Sequence, residues 1–173
     1  MSEFRPGRVA DQAAVLKFYE EVIDAQEGAG PQWHKGVYPT DYELLSHLCS
    51  DRMYLWLEEG EIAAAGVLLM HEDPEYLAAD QWPERLMYTD VAVLHLLAVH
   101  PRYRRQGIAS VFLQLLFEVC RQEGKKAVHL DVMPGNAPAE KLYKSVGFQY
   151  VQDLRVHYED LGDTVIRLYE YRL

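Results

Sequence analysis

The stretch that most limits what this chain can fold into runs from Tyr88 to Val99, where nearly every residue is apolar, and Pro101 closes it. An apolar run of this length suits a central strand buried on both faces. Ile108, Val111, Phe112, Leu115, Leu116 and Val119 follow at helical spacing and mark one apolar stripe, which Gly124 stops. Ala127 to Val132 reads as the next strand. A strand, a helical crossover and a strand make neighbouring strands parallel, so this part of the chain specifies a βα unit.

The flanking segments supply different pieces. Phe4 to Val9 reads as a short first strand, and Asp11 as the N-cap of a helix with Val15, Leu16, Tyr19, Val22 and Ile23 on one face. Residues 27–39 hold three Gly, two Pro and two aromatics and read as a loop. Thr40 and Glu43 form a capping box that opens a second helix through Cys49. Met53 to Glu58 and Glu61 to His71 read as strands around Glu59-Gly60, and residues 72–86 as an acidic loop. Pro138 suits a helix start, Gly147 a helix end, and Phe148 to His157 and Thr164 to Arg172 the last two strands. The predicted order is β-α-α-β-β-β-α-β-α-β-β. That is an α+β fold with a mixed central sheet of about seven strands and about four helices, antiparallel in its first half.

The 173 residues suit a single domain over 1–173. No apolar run reaches the ~20 residues of a spanning helix, and Met1 to Pro6 lacks the basic-then-apolar pattern of a signal peptide. Cys49 and Cys120 both fall in apolar helical patterns, which predicts buried, reduced thiols and a cytoplasmic protein. A net charge of −10 disfavours nucleic acid and anionic membranes as partners. Residues 101–126 run against that balance: six basic residues face two acidic ones, a local +4 that leaves −14 for the rest. A basic island in an acidic chain suggests a bound anion.

The island begins where the central strand ends, at Leu97-Ala98-Val99-His100-Pro101-Arg102-Tyr103-Arg104-Arg105-Gln106-Gly107-Ile108-Ala109-Ser110. The first N–H groups of a helix lack internal partners, and the macrodipole makes that end positive, so together they form an anion site. Gly107 lets the backbone approach a ligand closely, and Ala109 keeps the first helical turn thin. A diphosphate fits this chemistry. Neither a Walker A loop nor G-x-G-x-x-G is present.

Arg104, Gly107 and Ala109, preceded by Val99 and Pro101, resemble the R/Q-x-x-G-x-G/A signature of the GNAT superfamily of acetyl-CoA-dependent N-acetyltransferases. The resemblance continues through Leu130-Asp131-Val132, Asn136, Ala139, Leu142-Tyr143 and Gly147-Phe148. It implies that strands four and five splay and that acetyl-CoA, the cosubstrate, inserts between them. Leu97, Ala98 and Val99 would then bond its pantetheine arm, Arg104, Arg105, Gln106, Gly107, Ile108, Ala109 and Ser110 would cradle its diphosphate, and Asn136 would hold its amide arm. Asn136 also reads as an ordinary cap before the helix at Pro138.

Acyl transfer to an amine needs a neutral nucleophile, a donor for the oxyanion and a proton for the departing thiolate. An alkylammonium with a pKa like that of Lys is only on the order of 0.1% neutral at pH 7. Tyr143 matches the family tyrosine that protonates the sulfur. The oxyanion donor is expected at a bulge in strand four, with Val99 first in line. Two residues compete as base. His95 resembles a histidine on the matching strand of serotonin N-acetyltransferases, although Val93 stands where those enzymes have a second one. Asp131 resembles the carboxylate base of alanine N-acetyltransferases that modify ribosomal proteins. A packed core histidine and a strand-end cap are the ordinary readings of the same two residues.

The acceptor, an amine of a small molecule or peptide, is expected at the loop carrying Gln32 to Pro39 and at the acidic loop. Trp33 and Tyr38 suit a cation or an apolar group, and Glu72 heads the acidic candidates. A solvated acidic loop fits the same residues. An acyl-CoA-binding sensor without turnover, a transferase of longer acyl groups and a homodimer all remain compatible with the sequence.

Overall fold

The computed structural model describes residues 1–27 and 33–173. The expected loop over 27–39 therefore lies partly outside the described residues, Gln32 included. The chain divides into two compact units: Met1–Leu68 with His95–Leu116, and Leu69–Leu94 with Phe117–Leu173. Among the described residues seven strands form one sheet in the order β1-β2-β3-β4-β5-β7-β6, comprising Ser2–Pro6, Met53–Glu58, Glu61–Leu69, Val91–Val99, Ala127–Val132, Gly162–Arg172 and Gln149–Tyr158 respectively. The division falls within β4 and within the helix Ile108–Gln122 (α3).

In the first unit β1, β2 and β3 pair antiparallel. Met53, Leu55 and Leu57 are buried and alternate with half-buried Tyr54, Trp56 and Glu58, the period of two that a pleated strand imposes. Helix α1 (Gln12–Asp24) buries Val15, Phe18, Tyr19 and Val22 along one stripe. Helix α2 (Asp41–Cys49) starts as the sequence predicts. Thr40 Oγ1 accepts from Glu43 N at 3.2 Å, and Glu43 Oε2 accepts from Thr40 N at 2.8 Å.

Three expectations need adjusting here. The first strand ends at Pro6, one last backbone bond runs from Gly7 N to Met53 O at 2.8 Å, and a short 3₁₀ turn over Val9–Asp11 leads into α1. Asp11 occupies the N-cap position but does not cap with its side chain. Its oxygens face back along the chain instead: the Arg5 guanidinium donates to both, at 2.7 and 2.8 Å, and Arg8 N donates to Oδ2 at 2.7 Å. Cys49, the last residue of α2, is exposed; Cys120 is buried, which pushes its thiol up to about 12.

The second unit holds the start of β4 with β5, β7 and β6. The parallel register of β4 and β5 covers Val91↔Ala127, Ala92↔Val128 and Val93↔His129, and stops short of Val99 and Val132. β5 pairs antiparallel with β7, and β7 with β6. Tyr76, Val91, Val93, Leu154, Ile166 and Leu168 form a buried cluster, with Trp82 and Leu86 packed on it. Helix α4 (Ala137–Val146) is capped by Asn136 Oδ1, which accepts from Ala139 N at 3.3 Å. It ends at Gly147, whose φ is 109° and where a Cβ would come within 3.1 Å of the Tyr171 ring.

β3 ends at Leu69 and β4 begins at Val91, so both are shorter than the sequence predicts. The reason is local. Lys125 Nζ donates to Met70 O at 2.6 Å and Thr89 O at 2.8 Å, which draws those carbonyls away from any ladder. Tyr88–Asp90 turns as a 3₁₀ segment, and the Tyr88 ring stacks on His71 at 5.0 Å. The segment between is not simply a solvated acidic loop. It contains the 3₁₀ turn Pro74–Ala78, and Tyr76 within it is fully buried.

Candidate active site

In the first unit the end of β4 departs from regular strand geometry. Leu96 has φ 55°, a left-handed value inside a strand, and its side chain is buried. The Tyr19 hydroxyl of α1 donates to the Leu96 carbonyl oxygen at 2.8 Å. Strand four is therefore irregular at Leu96, three residues before Val99. Leu97 and Val99 are half-buried and Ala98 is buried. His95 is half-buried as well. It lies close enough to His47 of α2 to help lower the pKa of that imidazole, after burial, and His47 Nδ1 is buried with no hydrogen-bond partner among the described residues.

Beyond β4, His100 Nδ1 accepts from Arg102 N at 3.3 Å and so caps a 3₁₀ turn over Pro101–Tyr103. Arg104 reaches back to the carbonyls of Val99 at 3.4 Å and Ala25 at 3.3 Å. Arg102 meets Glu61 at 2.8 Å, with both side chains largely exposed. Arg105 has φ 59° and Gly107 φ 78°, so two left-handed residues bring the chain into α3. A Cβ on Gly107 would meet none of the described residues within 4 Å: the glycine is required by its backbone angle. The donor set at this turn (the first N–H groups of a long helix, with arginines around them) matches a diphosphate.

Trp33 and Tyr38 also belong to the first unit. The Gln26 side chain clamps Trp33, accepting from its N–H and donating to its carbonyl, each at 2.8 Å. The Trp33 ring lies 5.9 Å from that of Tyr19. His34 and Tyr38 bridge across a tight turn, and Tyr38 is 39% exposed, so its ring remains accessible.

The second unit gathers Tyr143 and Asp131. Tyr143 sits on α4 with its ring edge-on to Phe148 at 5.4 Å. Burial, and then the charge of Asp131, push its hydroxyl up, so it is a phenol at neutral pH. Asp131, on β5, accepts from the Tyr76 hydroxyl. Tyr158 is also raised, by burial and then by Asp131, and it donates to Glu75 Oε2 at 3.1 Å. The sequence motifs single out Asp131 and Tyr143 and pass over their neighbours Tyr76 and Tyr158, which carry no local motif.

Glu72 is a correction. It is 6% exposed, neither solvated nor displayed to a substrate. Its Oε2 lies 2.6 Å from His129 Nδ1, and its Oε1 accepts from Asp73 N. His129 Nε2 meets Glu170 Oε2 at 2.9 Å, and the Trp82 ring stacks on the imidazole at 3.7 Å. Burial works against charge on His129, but the two carboxylates outweigh it and its pKa is raised. A carboxylate taken out of water needs such a partner, and that partner removes Glu72 from the acceptor candidates.

Comparison with known proteins follows the same lines. A family model described as the acetyltransferase (GNAT) family matches residues 15–148. An N-alpha-acetyltransferase of Sulfurisphaera tokodaii is 37% identical over 71 residues, 40% of this chain and 42% of that protein. The [ribosomal protein bS18]-alanine N-acetyltransferase of Escherichia coli K12 is 36% identical over 69 residues, 40% of this chain and 47% of that one. The chain thus spans under half the length of either relative. The structure of a GNAT family acetyltransferase from Streptococcus agalactiae covers 99% of this chain and 95% of its own, with a TM-score of 0.83 at 18% identity, a likeness of fold.

Proposed function

Since the chain belongs to the GNAT family of acetyltransferases, we propose that it moves the acetyl group of acetyl-CoA onto a primary amine of a small molecule or peptide by direct attack. The observation that carries this reading is the junction in the first unit, where a kinked strand end leads into a glycine-opened helix among arginines. In this reading the backbone of Leu97, Ala98 and Val99 bonds the pantetheine arm. The turn from Arg104 to Ser110 holds the diphosphate. Asn136 uses Oδ1 as a cap and offers its side-chain nitrogen to the cosubstrate's amide arm.

The chemistry balances with groups of this chain. The amine nitrogen attacks the carbonyl carbon of the thioester, and the developing oxyanion takes a backbone N–H at the irregular end of β4. The C–S bond breaks, its electrons stay on sulfur, and the Tyr143 phenol supplies the proton that makes the free thiol. The proton shed by the new amide nitrogen passes to a base, with His95 and Asp131 as the two candidates. Trp33 and Tyr38 line the acceptor side of the first unit. The N-alpha and alanine specificities of the relatives make a peptide with N-terminal alanine the first acceptor to test.

A thiol-release assay with acetyl-CoA against amines, amino acids, aminoglycosides and peptide N-termini tests the reading. Acceptor-dependent release of CoA supports it. Binding of acetyl-CoA without turnover on any acceptor would move the protein to an acyl-CoA sensor. Absence of both binding and turnover would remove the reading altogether.

A further inference from the structure

Four non-glycine residues among those described have a left-handed backbone: Asp51, Glu59, Leu96 and Arg105. Asp51 and Glu59 are exposed and lie between regular elements, and Arg105 is exposed in the turn before α3. Leu96 alone is buried and inside a strand. A bulky residue in this region is strained, and such strain persists only where the surroundings over-determine it. What over-determines it is visible. Tyr19 is fully buried on α1, with its ring held edge-on by Phe18 at 5.1 Å, and its hydroxyl donates to the Leu96 carbonyl at 2.8 Å.

That bond has a directional consequence. In a trans peptide the carbonyl oxygen and the next N–H point in opposite directions. Fixing the Leu96 oxygen on Tyr19 therefore fixes the Leu97 N–H on the side away from Tyr19. We propose that Tyr19 is a positioning residue for acetyl transfer: by locking the kinked Leu96–Leu97 peptide, its hydroxyl aims the Leu97 N–H at the thioester carbonyl oxygen. Leu97, rather than Val99, is then the oxyanion donor. Tyr19 touches no reacting atom and acts only through the peptide it holds. The proposal rests on the acetyl-CoA reading above.

Tyr19→Phe keeps the ring in place and deletes only the hydroxyl. The readout is the ratio of affinities for acetyl-CoA and CoA, measured by calorimetry: the pantetheine arm, common to both ligands, uses the Leu97 carbonyl, and the Leu97 N–H is left for the acetyl carbonyl that CoA lacks. Wild-type protein should prefer acetyl-CoA. The variant should lose about a 5-fold share of that preference, the value of one neutral hydrogen bond, while its affinity for CoA itself stays unchanged. A purely structural role would weaken both ligands together and leave the ratio alone; that result, in a variant with wild-type circular dichroism, overturns the proposal. Turnover should fall by on the order of 10-fold, less than outright loss of an oxyanion donor, because the N–H is mis-aimed rather than removed. If the variant does not fold, the wild-type protein still decides. The Leu97 amide resonance must differ between the CoA and acetyl-CoA complexes, and an unchanged resonance overturns the assignment. A wild-type chain that binds neither ligand overturns the acetyl-CoA reading and this proposal with it. Binding of both with equal affinity overturns this proposal alone.

Discussion

His95 and His129 each sit inside a strand of the sheet, His95 in an otherwise apolar stretch and His129 two residues before Asp131. The structure separates them. His129 has a carboxylate on each ring nitrogen, at 2.6 and 2.9 Å, and an indole stacked on its face. A ring so saturated cannot accept a proton from a substrate unless a partner gives way. His95 is half-buried, one residue before the left-handed Leu96, and beside an imidazole with a nitrogen unpartnered among the described residues. Burial with complete pairing marks a structural histidine. Partial access beside a strained backbone is the setting that the proposed role of His95 as base requires.

That contrast predicts that rate and stability will part company across the candidate residues. The largest effect is expected in rate, for Tyr143→Phe: loss of a general acid should lower kcat by about 10²–10⁴-fold while acetyl-CoA affinity holds. A near-normal kcat in steady-state assays, with chemistry limiting, would place Tyr143 with the packing residues. Next comes stability, for His129→Ala. It strands Glu72 and Glu170 without their shared partner, and urea unfolding should show a loss of about 3–5 kcal/mol. A loss below ~1 kcal/mol would show that the two carboxylates find other relief and that saturation does not define the site. His95→Ala should do the reverse, leaving the unfolding midpoint in place and removing the limb of kcat/KM that rises with pH. If Asp131→Asn removes that limb instead, the base is Asp131 and the contrast between the histidines loses its catalytic half.

The smallest effect is in the pH dependence of stability. The pKa of His129 is raised in the folded protein. Its contribution is therefore fully present below the unfolded value of about 6.5 and is lost as pH climbs through the folded value. Melting temperatures should fall with rising pH across that window in the wild type. His129→Gln should flatten the slope, and an equal slope in both proteins would contradict the assignment.

What the sequence made legible was local. The capping box at Thr40 and Glu43, the strand Ala127–Val132 and the glycine that opens α3 are each written in a few adjacent residues, and each appears where predicted. What it hid was pairing at a distance. Tyr76 meets Asp131 across 55 positions, and His129 meets Glu72 across 57 and Glu170 across 41. No periodicity or spacing encodes such contacts, so Glu72 read as a substrate ligand and Tyr76 went unnoticed. Tyr19 was legible only as one member of an apolar stripe; its hydroxyl gained a meaning once Leu96 proved left-handed.

The connection from β3 to β4 has a practical consequence for handling the protein. Long connections are ordinarily where proteases cut, because a cleavable segment must detach and extend. This one is fastened at its root by Lys125, and along its length by Glu72 on His129, Tyr76 on Asp131, and the backbone of Asp80 and Gln81 on Gln152. Glu84 on Arg172 holds it again before it returns to the sheet. Exposed Leu77, Met87 and Tyr88 offer chymotrypsin side chains it can cut after, on a backbone that does not peel away. Nicking there should therefore await unfolding of the whole second unit, and the rate of cleavage in this segment becomes a gauge of that unit's opening.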